Sequence, residues 1–268
     1  MNQIHPMANV HPKAQIGDNV IIEPFATVCE DVVIGDGTWI ASGAYIMNGA
    51  RIGRDCKIFQ GAVIAGIPQD LKFKGEYTTM EIGDRTAIRE YAVLHRGTQS
   101  RGKTVIGTDC LIMCYVHVAH DCLIGNHVIL TGYTGLAGEV VVGDWAIIGG
   151  GSMAHQFVHI GTHAMISGGS LIRKDVPPYT KAAREPLSYV GINTVGLRRR
   201  GFTGDQILGL QDIYRYIFLK GLPVSEALSQ VAQQIAPSPE RDEVIQFIRE
   251  SKRGIMKGYT SAIADDND

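Results

Sequence analysis

Every sixth residue from Ile4 is aliphatic. The series runs Ile4, Val10, Ile16, Ile22, Val28, Ile34, Ile40, Ile46, Ile52, Ile58 and Ile64. It resumes at Ile82, Ile88 and Leu94, and again from Ile106 to Ile172. Across that span only Asp70, Glu76 and Ser100 put a polar side chain in the frame. A helix repeats its apolar face every 3.6 residues and a half-buried strand every two, so neither gives a period of six. A hexapeptide β-helix does, because three short strands close one triangular coil of 18 residues and the coils stack.

Two residues before each frame position stands a small or medium side chain: Ala8, Ala14, Val20, Ala26, Ala44, Ala50, Cys56, Ala62, Cys110, Val116, Cys122. These two positions fill a narrow interior, which gives three of the cysteines a packing role. Glycine follows the frame at a longer interval, at Gly17, Gly35 and Gly53 and then at Gly107, Gly125, Gly143 and Gly161. The spacing of 18 places each at one corner of the prism, where a turn favours a residue without Cβ. Gly83 is out of step on both sides, so two loops must leave the coil, at about residues 66–81 and 96–104. Loops on a rigid scaffold are where function collects, and Gln69, Asp70, Lys72, Lys74 and Glu76 fit that better than packing.

The period stops at "KDVPPYT", and helical signals follow. Thr203 caps "GDQILGLQDIYRYIFLK", which stops at Gly221; Ser225 caps "EALSQVAQQI"; Ser238 precedes a proline and a first turn rich in acids. The expected fold is mainly β: a left-handed parallel β-helix of hexapeptide repeats over residues 1–185, then a small α-helical C-terminal domain over 186–268.

Composition narrows the classes. With 25 Lys+Arg against 27 Asp+Glu the net charge is −2, which is not the profile of a nucleic-acid binder. No apolar run reaches the roughly 18 residues of a transmembrane segment, and "MNQIHPMANV" lacks a signal sequence. The five cysteines include no CxxC pair, which points to a reducing cytoplasmic setting.

The stretch "HVAHDC" carries the candidate chemistry. In the frame Val118 and Cys122 point inward, so His117 and His120 point outward. Further histidines, His95 and His155, fall on the central and later coils, with His127, His159 and His163 nearby, and outward histidines on several coils can line a groove. Imidazole suits zinc, but no cysteine-rich or HExxH pattern supports a metal site. A general base is the stronger reading, with Asp121 as the carboxylate that fixes its tautomer. No GxSxG elbow suggests a nucleophilic triad.

Together, "PQDLKFKGE", "LHRGT", "HVAHDC", "AHQF", "DVPPY" and "GLRRRGF" resemble, in order and spacing, the UDP-N-acetylglucosamine acyltransferase family over nearly the whole chain. The hexapeptide repeat is shared by many acyltransferases, whereas QDLK, HxxHD and RRGF in combination are specific. The related glucosamine N-acyltransferases carry an extra N-terminal uridine-binding domain, for which a repeat beginning at Ile4 leaves no room. The resemblance implies transfer of a 3-hydroxyacyl chain from acyl carrier protein to the 3-hydroxyl of UDP-N-acetylglucosamine, the first step of lipid A synthesis. It further implies a cytoplasmic homotrimer with sites between subunits, no cofactor and no metal. Carried over residue by residue, His120 resembles the general base, Asp121 its polarising partner and Gly138 the oxyanion donor. Gln69, Asp70, Lys72, His117 and His155 match substrate-binding positions, and Gln156, Asn193, Arg199 and Arg200 nucleotide-binding ones. Gly168 matches a position that limits acyl length. Two residues depart from the pattern: Glu139, where relatives often have histidine, and Val195, where a carboxylate often meets the ribose. The run Arg198–Arg200 is a local basic cluster suited to a pyrophosphate and an acidic carrier protein. The competing expectations are a hexapeptide acyltransferase using acyl-CoA, and a carbonic-anhydrase-like β-helix holding zinc on histidines of neighbouring subunits.

Overall fold

A computed structural model describes residues 1–258 and carries the six-residue frame into three dimensions. Gln3–Ile4, Asn9–Val10 and Gln15–Ile16 form the first coil, and each pairs in parallel one coil on, as Gln3 with Ile21, Asn9 with Thr27 and Gln15 with Val33. Three parallel sheets result, the faces of a triangular prism. The first face begins at Gln3–Ile4, the second runs from Asn9–Val10 to Leu171–Ile172 and the third from Gln15–Ile16 to His159–Ile160.

The frame residues form continuous columns inside. On the first face Ile22, Ile40, Ile58, Ile88, Ile112, Leu130, Ile148 and Ile166 are all at most 1% exposed. Each such side chain contributes about 1.5–3 kcal/mol by leaving water. β-Branched residues suit strands only two to four residues long, because their stiff χ1 costs little there. Cys56, Cys110 and Cys122 are buried between the columns, and burial pushes their thiols up to about 11, 11 and 12, so they stay protonated packing groups.

The corner glycines have a different cause from the turn expected of them. Gly35 is not in the left-handed region; a Cβ there would stand 2.6 Å from the carbonyl carbon and oxygen of Gly53 in the next coil. Coils touch at this position, so only glycine fits. The left-handed residues come two places later and are mostly not glycine: Asn19, Asp55, Arg85, Asp109, His127, Trp145 and His163 have φ between 53° and 63°. Sterics disfavour such residues, yet the stacked hydrogen bonds hold them there.

Both loops leave the prism at one corner, between the second and third faces. The first runs from the end of Val63–Gly66 to the start of Thr79–Ile82, the second from Val93–His95 to Lys103–Ile106. They are tied together where the Gln99 N–H donates to Glu76 Oε1 at 3.1 Å.

The tail is less purely helical than its sequence suggests. An antiparallel hairpin, Thr180–Ala183 with Ser188–Ile192, crosses the expected boundary at 185–186 and extends the first face. A short unanticipated helix follows, α1 (Thr194–Arg199), then α2 (Gly204–Phe218), α3 (Val224–Gln234) and α4 (Pro239–Glu250). Thr203 and Gln206 form the capping box of α2, and Ser238 caps α4 with Pro239 in its first turn. Ser225 does not cap α3: that helix starts at Val224 behind Pro223, two residues earlier than expected, and the Ser225 carbonyl accepts from the Ser229 hydroxyl. Residues 259–268 of the expected helical domain lie outside the described residues.

The tail docks on the last coil through buried polar contacts. The Tyr214 hydroxyl donates to Pro178 O at 2.6 Å, and Glu243 accepts from Thr162 at 2.6 Å and from Tyr179. The crowding at Gly35 gives a direct test. Gly35→Ala is expected to lower unfolding stability by about 1–3 kcal/mol. Gly204→Ala, in open space at the start of α2, is expected to stay within about 0.5 kcal/mol. Urea denaturation of both variants measures the difference.

Candidate active site

The corner that releases the two loops also carries His120, Gly138 and Gln156, spaced 18 apart in successive coils. The loops fold back over it, so His120 is only 8% exposed, although it points away from the prism as its frame position requires. Its Nδ1 lies 2.8 Å from Asp121 Oδ2. A carboxylate only accepts, so Nδ1 carries a proton, and in the neutral ring Nε2 is the basic nitrogen. Asp70 Oδ2, from the first loop, is 3.9 Å from Nε2, beyond hydrogen-bond range. Gly138 supports the other side of the ring: a Cβ there would stand 2.6 Å from His120 Cε1 and Nε2. Among the described residues the Gly138 N–H meets no backbone carbonyl.

Asp121 is fully buried and heavily ligated. Its carboxylate accepts from the Thr98 hydroxyl at 2.6 Å, the Thr98 N–H at 3.0 Å and the Arg101 N–H at 3.1 Å, besides His120. The Arg101 guanidinium reaches Asp121 O at 2.9 Å and lies 4.0 Å from Glu139. A cavity of about 380 Å³ opens above His120. Asp70, Lys72 and Glu76 line it from the first loop, Thr98, Gln99 and Ser100 from the second, and Glu139 and Gln156 from the coils beyond. Gln69 and His155 are exposed and do not line it. On the second face His117 packs against His95, ring centroids 5.1 Å apart. Burial lowers the affinity of both imidazoles for a proton, and the charge of His95 adds to the effect on His117.

The other expected site residues stand elsewhere on the prism. Asn193 and Arg200 lie at the corner between the third and first faces, a full face away. There the guanidinium of Arg200 sits 5.1 Å above the Trp145 ring, within a ladder in which Trp145 stacks on His127 at 3.9 Å. Asn193 caps α1 and donates from Nδ2 to His163 O at 2.9 Å, so its side chain ties the helix to this corner. Arg199 and Val195 are exposed on α1. Gly168 is at the third corner, between the first and second faces, so within one chain it shares no edge with His120. Thr98 and Arg101 were not anticipated, because nothing in "RGTQSRG" shows that the loop wraps a carboxylate one coil on. Trp145 was legible: His127, Trp145 and His163 are spaced 18 apart.

Among the described residues no cluster of three or more His, Cys, Asp or Glu side chains could hold a metal ion, and no helix is long and apolar enough to cross a membrane.

A hexapeptide prism that shelters a histidine–aspartate pair under two loops defines a bacterial-type hexapeptide transferase, and the family model for bacterial transferase hexapeptide repeats matches residues 31–66 and 103–138. A second model, for domain 2 of UDP-N-acetylglucosamine O-acyltransferase, matches residues 175–256. An acyl-[acyl-carrier-protein]–UDP-N-acetylglucosamine O-acyltransferase from Chlorobaculum parvum is 52% identical over 97% of this chain and all of that protein. One of the same description from Thermodesulfovibrio yellowstonii is 43% identical over 96% of this chain and all of that protein. The crystal structure of a UDP-N-acetylglucosamine acyltransferase from Bacteroides fragilis superposes with a TM-score of 0.93 at 49% identity, covering 94% of this chain and 99% of that one. The chain belongs to the UDP-N-acetylglucosamine O-acyltransferase family, and its coil is the left-handed β-helix of that family.

The aromatic corner has its own pH signature. Burial, and then the charge of Arg200, lower His163 from 6.5 to about 4. As pH falls, the unfolded chain takes up this proton first, so the contribution to stability is intact above 6.5 and is lost between 6.5 and about 4. His163→Gln is expected to flatten the fall of melting temperature over that range, as read by scanning calorimetry.

Proposed function

We propose that this chain transfers a 3-hydroxyacyl group from the thioester of an acyl carrier protein to the 3-hydroxyl of UDP-N-acetylglucosamine, the first step of lipid A biosynthesis. The observation that carries the reading is the His120 ring, tied at Nδ1 to Asp121 and open at Nε2 to the cavity. Nε2 takes the proton of the sugar hydroxyl as its oxygen attacks the thioester carbonyl. The Gly138 N–H donates to the oxygen that becomes negative, a contribution of about 3 kcal/mol in comparable sites. As the tetrahedral species collapses, the C–S bond breaks and His120 returns the proton to the departing sulfur. The products are the sugar ester and the free thiol of the carrier protein. Asp121 and Asp70 flank the imidazolium formed in between. Lys72 and Gln156 line the cavity where the sugar nucleotide sits.

The working unit is a homotrimer in the cytoplasm. Support for the assembly comes from the division of the residues: the His120 edge and the Arg200 edge of one chain are separated by a face, so a complete site needs the second edge from a neighbour. Arg199 and Arg200 of that neighbour then bind the pyrophosphate or the acidic carrier protein. A groove between neighbours also gives Gly168 a place beside the acyl chain.

His120→Ala is expected to lose about 10²–10⁴-fold in turnover with unchanged circular dichroism, measured with UDP-N-acetylglucosamine and a panel of 3-hydroxyacyl carrier proteins. Acyl-CoA is expected to give no product. Trimers assembled from an equal mixture of His120→Ala and Arg200→Ala chains are expected to regain activity in about a quarter of all sites, one of the three in each mixed trimer; no recovery would place both residues in one chain's site.

Gly168 leaves the groove open, and each buried methylene adds about 0.8 kcal/mol, so long 3-hydroxyacyl chains are favoured. Gly168→Met is expected to move the optimum to a shorter chain in the same panel. An active variant with an unchanged profile would remove Gly168 from that role.

A further inference from the structure

One oxygen of Asp121 serves two donors. Oδ2 accepts the His120 Nδ1–H at 2.8 Å and the Thr98 hydroxyl at 2.6 Å. The Thr98 hydroxyl has its direction fixed, because its oxygen accepts the Ser100 N–H at 3.2 Å and its proton is left for Asp121. Both residues are almost completely shielded, with Thr98 6% and Asp121 0% exposed, so water does not substitute for either bond. Charge-assisted hydrogen bonds in such a place are strong, and a second donor on the same oxygen takes up part of the charge offered to the first.

We propose that Thr98 is a positioning residue that limits how tightly Asp121 holds the protonated form of His120, so that the proton is returned to the leaving sulfur. This rests on the reading of His120 as the base. The need for a limit is visible around the ring. Asp70 and Glu76 from the first loop and Glu139 from the next coil add negative charge to that of Asp121, against Lys72 and Arg101. On the second face, burial lowers the proton affinity of His95 and His117, which works against their offsetting that charge. The Thr98 hydroxyl competes with the His120 ring for the nearest carboxylate oxygen. The Thr98 and Arg101 amides, both on Oδ1, meanwhile keep the carboxylate from turning.

The test is the pH profile of kcat/KM for the full-length enzyme with its carrier-protein substrate. Thr98→Val keeps the shape and deletes the hydroxyl. The acid-side midpoint is expected to move up by about 0.5 to 1 pH unit, which lowers kcat/KM at the acid end about three- to tenfold. Thr98→Ser is expected to restore the original midpoint. A purely structural role would lower the whole curve without moving it. An unmoved or lowered midpoint for a folded valine variant, with His120→Ala inactive, overturns the role of Thr98 and leaves the base in place. Substantial activity in His120→Ala overturns both. If the valine variant does not fold, Thr98→Ala is measured in the same way, and failure of both to fold overturns the proposal in favour of a structural residue.

Discussion

The backbone hydrogen bond from one coil to the next governs this molecule. Amides of the strands meet carbonyls a coil away, as Ile21 N–H meets Thr38 O and Ile129 N–H meets Ala146 O. That match holds only if coils return in register, so 18 residues is a mechanical requirement and not only a sequence habit. Aliphatic side chains then fall on aliphatic side chains, and the interior fills as columns. Residues beyond that count cannot stay in the wall. Here both excesses leave at the same corner, and they fold over the coils that follow.

The site is the product of that exclusion. The released loops bring Asp70, Thr98 and Arg101 to a histidine that the prism alone would leave in water. The amides of Thr98 and Arg101 hold Asp121, and Asp121 orients His120. Glycine at 138 leaves room for the ring, one coil further on. The tail works at the opposite corner. Glu243 of α4 grips Thr162 and Tyr179, and Tyr179 stacks 5.5 Å from His163, next to the arginine-capped Trp145. Each edge is thus built by a different departure from the repeat.

Much of this was legible in the sequence. The frame gave the prism, the inward cysteines and the outward direction of His120, because position within a coil dictates side-chain direction. The miscount around Gly83 gave the loops. What could not be read was contact across coils. The burial of His120 depends on how far the loops fold back, and the Thr98–Asp121 bonds join residues 23 apart through a loop without periodicity. The corner glycines were found, but for the wrong reason: close approach between coils, visible only when coils are stacked, requires them. Ser225 was misassigned because the helix begins two residues earlier than a Ser225 cap requires, behind Pro223 and without a side-chain cap, and the hairpin at 180–192 was missed because it breaks the period without breaking the sheet.

The most direct test of the two-edge site is a crystal structure of the enzyme with UDP-N-acetylglucosamine bound. The sugar 3-oxygen is expected within about 2.6–3.2 Å of His120 Nε2 of one chain, with the pyrophosphate against the Arg200 corner of a neighbouring chain. A sugar nucleotide held wholly by one chain, or one whose 3-oxygen faces away from His120, would contradict it.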